Sequence, residues 1–158
     1  MPGSFNLRVA AVILHQSRLL VMTESNLSYS YLVGGRIKLH ENSEQALQRE
    51  LLEELHESPR RMQFLWTVEN FFIDKQKQFH EICLFYLVEL DPNSTLLKLD
   101  TFQKMDHHKI HLFSWVDINQ LSSINLLPHF LVDKLTLLDT HLIIPNHFIH
   151  IDAQSGLG

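Results

Sequence analysis

Cysteine is almost absent from the sequence: Cys83 is the only one among 158 residues. A lone thiol excludes an intramolecular disulfide. Within Ile82-Cys83-Leu84-Phe85-Tyr86 it reads as a small buried hydrophobe rather than a nucleophile. Glycine and proline number five each, which leaves no room for a long low-complexity linker. Basic residues are also short, with 13 Lys and Arg against 18 Asp and Glu and a formal net charge of −5. That balance lacks the positive footprint of a protein that grips a nucleic-acid backbone. No run approaches the ~20 apolar residues of a membrane span. The start, Met-Pro-Gly-Ser-Phe-Asn-Leu-Arg, lacks the basic-then-apolar order of a secretory signal. The expectation is a cytoplasmic protein that engages neither nucleic acid nor membrane.

What is present suits one domain over residues 1–158, with a core at about 6–140 and a C-terminal extension at 141–158. Leu7–Leu14 is a β-branched run that reads as a central strand, and Arg18–Met22 reads as its hairpin partner. Thr23–Ser28 is a polar loop, and Tyr29–Val33 a short strand ending at Gly34-Gly35. The clearest helix runs over Glu44–Leu55, with Asn42 or Ser43 as cap and Gln45 at capping-box spacing from Asn42. Met62–Phe72, Phe79–Leu90 and His111–Val116 read as strands, and Thr101–Lys109 as an exposed loop. A second helix is expected from about Leu126 or Pro128 to Leu138. The apolar tail Leu142–Asp152 has no clear place, although it offers a surface for a possible homodimer. Strands on both sides of a central helix, then a closing helix, predict a mixed sheet covered on both faces.

Chemistry concentrates between Gly35 and Glu54. Glu50, Glu53 and Glu54 stand at i, i+3 and i+4, so their carboxylates share one helix face, while Leu47, Leu51 and Leu55 form another stripe. A solvated acidic face would explain the three carboxylates by themselves. Hard divalent cations are the alternative, since Mg²⁺ is usually held by a few carboxylates and substrate phosphates. Arg49 stands where it can offset part of the repulsion.

The stretch resembles the signature box of the Nudix hydrolases (MutT-like): Gly, five residues, Glu, seven residues, then Arg-Glu-aliphatic-x-Glu-Glu-x-Gly-aliphatic. Gly35, Glu41, Arg49, Glu50, Leu51, Glu53 and Glu54 match at the right spacing. The preceding hairpin, the Gly34-Gly35 pair and a later Trp115-Val116-Asp117 ahead of the last helix extend the likeness over about residues 6–140. It departs in two places. His56-Glu57 replaces the terminal Gly-aliphatic pair, and His40 precedes Glu41 where relatives often carry glycine.

The resemblance implies an α/β fold, a Nudix-type α/β/α sandwich with a central mixed β-sheet. It implies an Mg²⁺-dependent hydrolase, with Mn²⁺ able to substitute, that cleaves the pyrophosphate bond of an NTP, dNTP or nucleotide-sugar type substrate. Glu53, Glu54 and the Gly35 carbonyl would be metal ligands, and Glu50 a further ligand or the base that activates water. Arg49 would orient the cluster and Glu41 would support it. Among later carboxylates, Glu81 is the favoured catalytic candidate and Glu69 the other; Arg8, Tyr31, Glu69 and Phe72 are candidate substrate contacts. A catalytically silent Nudix-like sensor or interaction module is the competing reading, and the complete carboxylate set argues against it. The histidines at 107, 108 and 111 and at 147 and 150 lack the partners of a zinc site and read as exposed polar segments.

Overall fold

A computed structural model describes residues 2–152. Residues 153–158 of the expected C-terminal extension therefore lie outside the described residues, as does Met1. The β-branched run at Leu7–Leu14 forms the heart of β1 (Gly3–His15), which hairpins into β2 (Arg18–Thr23). Next comes β3 (Gly34–Arg36), then α1 (Ser43–Leu55), then a long hairpin of β4 (Pro59–Asp74) and β5 (Lys77–Leu90). β6 (Thr101–Asp106), β7 (Lys109–Asp117), α2 (Phe130–Thr136) and β8 (Asn146–Ile151) complete the order. The strands lie as β6-β7-β2-β1-β5-β4-β8, with β3 also paired to β1. The β1–β5 and β4–β8 pairs are parallel and the others antiparallel, so the sheet is mixed as expected.

Its two faces carry two apolar clusters. Val9, Ala11, Ile13, Tyr86 and Val88 pack with Leu47, Leu51 and Leu55 of α1. Val12, Val68, Cys83, Phe85 and Trp66 pack on the other face with Leu121, Leu131 and Leu135. The alternation along β1 and β5 decides which side chain goes where. Each buried leucine of α1 is worth about 2 kcal/mol, whereas like charges one turn apart cost a few tenths each. Burial therefore holds the acidic helix in place. Among the described residues no helix is long and apolar enough to cross a membrane.

Three sequence expectations change. Tyr29–Val33 is not a strand. Tyr31 exchanges hydrogen bonds with Met22, Ser30 bonds to Asn125 and Leu127, and Val33 accepts from Ala11. With three successive partners no ladder forms. Thr101–Lys109 is not an exposed loop: β6 pairs antiparallel with β7, and Phe102 stacks on Phe113 at 4.9 Å. His111 accordingly lies buried rather than on a polar loop. The final helix is shorter than expected, Phe130–Thr136 rather than about 126–138. The unplaced tail supplies β8, an edge strand along β4.

Scarcity of glycine shows in the backbone. The three two-residue hairpin turns use Gln16-Ser17, Lys75-Gln76 and His107-His108, all at positive φ, where Asn-Gly is the usual choice. Both box positions that lack glycine are left-handed too, His40 at φ 63° and His56 at φ 58°. Helix α1 ends as its sequence dictates. The Asn42 side chain accepts from Gln45 N–H, the Gln45 side chain accepts from Asn42 N–H, and His56 N–H donates to Leu52 O at 3.1 Å. Removing the Cβ at a left-handed residue relieves about 1 kcal/mol. His56→Gly is therefore expected to raise the melting temperature by about 2–4 °C with activity retained. A lower melting temperature in a thermal scan would show that the imidazole contributes more than its backbone costs.

Candidate active site

The acidic face of α1 is organised by one guanidinium. Arg49 donates through Nε to Glu41 Oε1 (2.7 Å) and through Nη2 to Glu41 Oε2 (3.0 Å) and the Arg36 carbonyl (3.1 Å). Its Nη1 donates to Glu50 Oε1 (2.7 Å) and Glu53 Oε2 (3.2 Å). Glu41 is itself fixed by the turn before the helix, where the Lys38 N–H donates to its Oε2. The hydrogen bond from Arg49 holds the Glu41 carboxyl down to about 2, and Glu41 in turn raises the guanidinium above its ordinary value.

Glu54 differs. It is 9% exposed and its Oε2 is buried without a hydrogen-bond partner. Burial first, then the Glu50 charge, pushes its carboxyl up to about 8, against a partial offset from the Gly34 backbone. Glu50 is raised as well, chiefly by burial, with Arg49 pulling the other way. Gly35 lies against Glu50 so closely that an added Cβ would run into its carboxylate. The missing side chain at Gly35 is the space Glu50 occupies.

These features fit a hard divalent cation: an orphaned buried carboxylate oxygen, a glycine cradle and an all-oxygen donor set. Glu50, Glu53, Glu54 and the Gly35 carbonyl are the residues that would hold it. Among the described residues no three ligating side chains converge as a closed cage.

Beside the box, on the α2 face of the sheet, opens a cavity of about 450 Å³. Arg8, Tyr31, Phe72 and Glu81 line it. Arg8 joins the two regions: its Nε is 4.0 Å from Glu81 Oε1, and its charge acts on Glu50 and Glu54. Glu81 also accepts from the Asn6 amide at 3.0 Å. Tyr31 donates to Glu24 at 3.1 Å, and burial, followed by the Glu24 charge, raises its pKa so that it stays a phenol. Glu69 is not brought to this cavity. Strand alternation turns it to the opposite face, where it pairs with His147 at 3.0 Å. Cys83 lines the cavity as a thiol that burial pushes up to about 12.

Asp106 and Glu24 are among the acidic residues that escaped the sequence reading. Asp106, at the end of β6, acts on Glu54 through its charge. Glu24 lines the cavity and gathers Tyr31, Lys109 (3.7 Å) and His111 (3.9 Å) around one oxygen. Neither belongs to a local motif. Only the pairing of β6, β7 and β2 brings them in.

The NUDIX domain family model matches residues 5–137. Among solved structures, a MutT NUDIX hydrolase from Burkholderia pseudomallei superposes with a TM-score of 0.65 at 20% identity, covering 86% of this chain and 99% of that one. The mutator MutT protein from Bacillus halodurans gives 0.61 at 10% identity, covering 92% and 90%. A UDP-X diphosphatase gives 0.59 at 15% identity, covering 93% and 68%. At such identities the structures speak for the fold alone. No curated protein matches the sequence significantly. With the family model spanning most of its length and every carboxylate of the signature in place, the chain belongs to the Nudix family and is a Nudix hydrolase.

Proposed function

We propose that the protein is a divalent-metal-dependent pyrophosphohydrolase of nucleotide substrates, with Mg²⁺ as the working ion and Mn²⁺ able to replace it. One observation carries this reading: the buried, unpartnered Glu54 oxygen beside Glu50 and Glu53 on a helix face that Arg49 fixes. A structural carboxylate in that place would be costly, because burying an acceptor without a partner costs about 1–3 kcal/mol. When bound, the ion would neutralise the diphosphate and lower the pKa of an attacking water. The chain's own part is to place the oxygens. Arg49 aims Glu50 and Glu53, Glu41 anchors Arg49, and Gly35 gives Glu50 its space.

The diphosphate lies over the α1 face and the remainder of the nucleotide in the adjoining cavity, with Arg8 between them to meet a phosphate oxygen. Tyr31 and Phe72 then form walls rather than chemical groups. Asp106 is the later carboxylate whose charge reaches the ligand set, whereas Glu81 faces the cavity with Asn6 and Arg8. The silent-sensor alternative would leave Glu54 buried without a use.

The test is phosphate or pyrophosphate release from dNTPs, 8-oxo-dGTP, ADP-ribose, NADH, diadenosine polyphosphates and a UDP-sugar. It is run with Mg²⁺ or Mn²⁺ and with Glu53→Gln as control. Turnover on one class that the variant loses is the expected result. Silence across the panel with both metals would overturn the reading in favour of the sensor.

A further inference from the structure

Strands β6 and β8 form the two edges of the sheet, and their sequences treat that exposure differently. An edge strand presents unpaired N–H and C=O groups that invite another strand, and proteins commonly blunt it with charge. β6 follows that rule: Lys104 and Asp106 stand within it, both half-buried. β8 does not. Its residues, Asn146-His147-Phe148-Ile149-His150-Ile151, include no Lys, Arg, Asp or Glu. Among the described residues only β4 pairs with it.

The backbone of β8 fixes which groups are open. Alternate residues of a strand turn their N–H and C=O toward the same neighbour. Asp152 N–H donates to Phe71 O at 3.0 Å, so Asn146, Phe148 and His150 turn their backbone groups to β4. His147, Ile149 and Ile151 turn theirs outward. The Asn146 side chain accepts from the first of these donors, His147 N–H, at 2.8 Å. The N–H and C=O groups of Ile149 and Ile151 have no such partner among the described residues. Both side chains are exposed as well, Ile149 by 61% and Ile151 by 57%.

We infer that β8 pairs antiparallel with the β8 of a second copy of this chain, about a two-fold axis through Ile149. This register uses all three outward residues. Ile149 faces its own copy and His147 faces Ile151, each pair exchanging both backbone hydrogen bonds. A two-fold moved to Phe148 sets Ile151 opposite Pro145, which has no N–H. Moved to His150, it carries His147 past the end of the strand. The side chains agree with the register. Phe148 meets His150 and Asn146 meets Asp152 across the axis, so no like charges oppose one another. A second copy carries the same net charge of −5, and an uncharged strand is where two such chains meet with least repulsion. His150 and Asp152 line the cavity, so the interface runs along the cavity's outer wall. The paired stretch is short beside a standard interface of about 1,600 Å², and the dimer is expected to dissociate at about micromolar concentrations.

Sedimentation velocity of the full chain, from on the order of 1 μM to 0.5 mM, tests it. A species of twice the 18.5 kDa chain mass should grow with concentration. Ile149→Pro removes an outward donor at the axis and leaves the β4 ladder its own, so the dissociation constant should rise about ten- to a hundredfold. Ile149→Lys places two like charges at the axis and should act in the same direction if the proline variant fails to fold. Oxidative cross-linking reads the register. In Ile149→Cys the two Cα atoms would lie about 5.5 Å apart, within reach of a disulfide. In Asn146→Cys they would lie roughly 20 Å apart and stay unlinked. Cys83 is buried and does not compete. A chain that stays monomeric over the whole range would overturn the inference and leave the edge to residues 153–158 or to a partner of other sequence. A dimer that both Ile149→Pro and Ile149→Lys leave intact would also overturn it. So would cross-linking through Asn146→Cys and not through Ile149→Cys, since either result places the interface elsewhere.

Discussion

Glu54→Gln is expected to remove nearly all activity while making the metal-free protein more stable above neutral pH. The two effects share a cause. Glu54 has a buried oxygen without a partner and a carboxyl pushed up to about 8 by burial and by Glu50. In the unfolded chain the same group titrates near the ordinary glutamate value of 4.5. Between those values the folded state binds the extra proton, so folding stability falls as pH rises through the window. A neutral glutamine removes that loss. At pH 8 the metal-free variant should melt several degrees above the wild type, at about 2–4 °C per kcal/mol, and at pH 4.5 the gap should close. With Mg²⁺ the order changes. Binding to the folded state alone raises the wild-type melting temperature by mass action, and the variant, lacking a ligand, responds little. Metal assistance is worth several kcal/mol of barrier, so its loss should lower kcat/KM by about 10²–10⁴-fold. Thermal scans at two pH values, with EDTA and with Mg²⁺, measure the stability arm. A variant that is less stable than the wild type at pH 8, or that gains as much from Mg²⁺, would remove Glu54 from the ligand set.

The parts of this molecule that could be read from sequence are those fixed by local chemistry. Helix α1 announces itself through the Asn42–Gln45 box, the Leu47–Leu51–Leu55 stripe and Pro59 just beyond its end. Its carboxylates share a face because the helix repeat puts them there. Strands β1, β4, β5 and β7 have apolar runs long enough to demand burial. Edge strands do not. In β6 only Phe102, Lys104 and Asp106 turn partly inward, and in β8 only Phe148 and His150, so a half-exposed strand reads as a polar loop or a stray tail. Its pairing partner decides its structure. Tyr29–Val33 erred the other way, because a β-prone composition cannot say that three different segments will compete for its backbone.

The same division runs through the site. Every residue of the box was readable at its own position, since its geometry comes from one helix and the turn before it. The cavity was not. Asn70, Glu81 and Asn6 meet because of a register between strands more than sixty residues apart in places, and a one-residue slip would turn all of them to the other face. Glu69 shows the consequence. It is one position from Asn70, yet it pairs with His147 on the opposite side of the sheet. Asp106 and Glu24 likewise depend on the β2–β7–β6 order, for which the sequence carries no spacing rule.

Arg49→Lys is expected to be severe although it keeps the charge. Five hydrogen bonds leave this one guanidinium, to Glu41, Glu50, Glu53 and the Arg36 carbonyl. Its planar fork meets Glu41 through two nitrogens while a third turns to the helix carboxylates. An ammonium is a point donor on a flexible stem and cannot span both groups. Whichever partner it keeps, the other is left with an uncompensated, partly buried carboxylate. Losing these hydrogen bonds should lower the melting temperature. Activity should suffer separately from stability. Partners that orient metal ligands are typically worth about 10–100-fold in metal affinity or activity, so the Mg²⁺ concentration for half-maximal rate should rise by that factor at a temperature where the variant is fully folded. Glu41→Gln provides the control, because it weakens the anchor of Arg49 without touching a ligand. It should shift the Mg²⁺ requirement in the same direction and by less. If Arg49→Lys lowered the melting temperature but left the Mg²⁺ requirement unchanged, Arg49 would be a stabilising contact alone, and the aim of Glu50 and Glu53 would have to come from the helix itself.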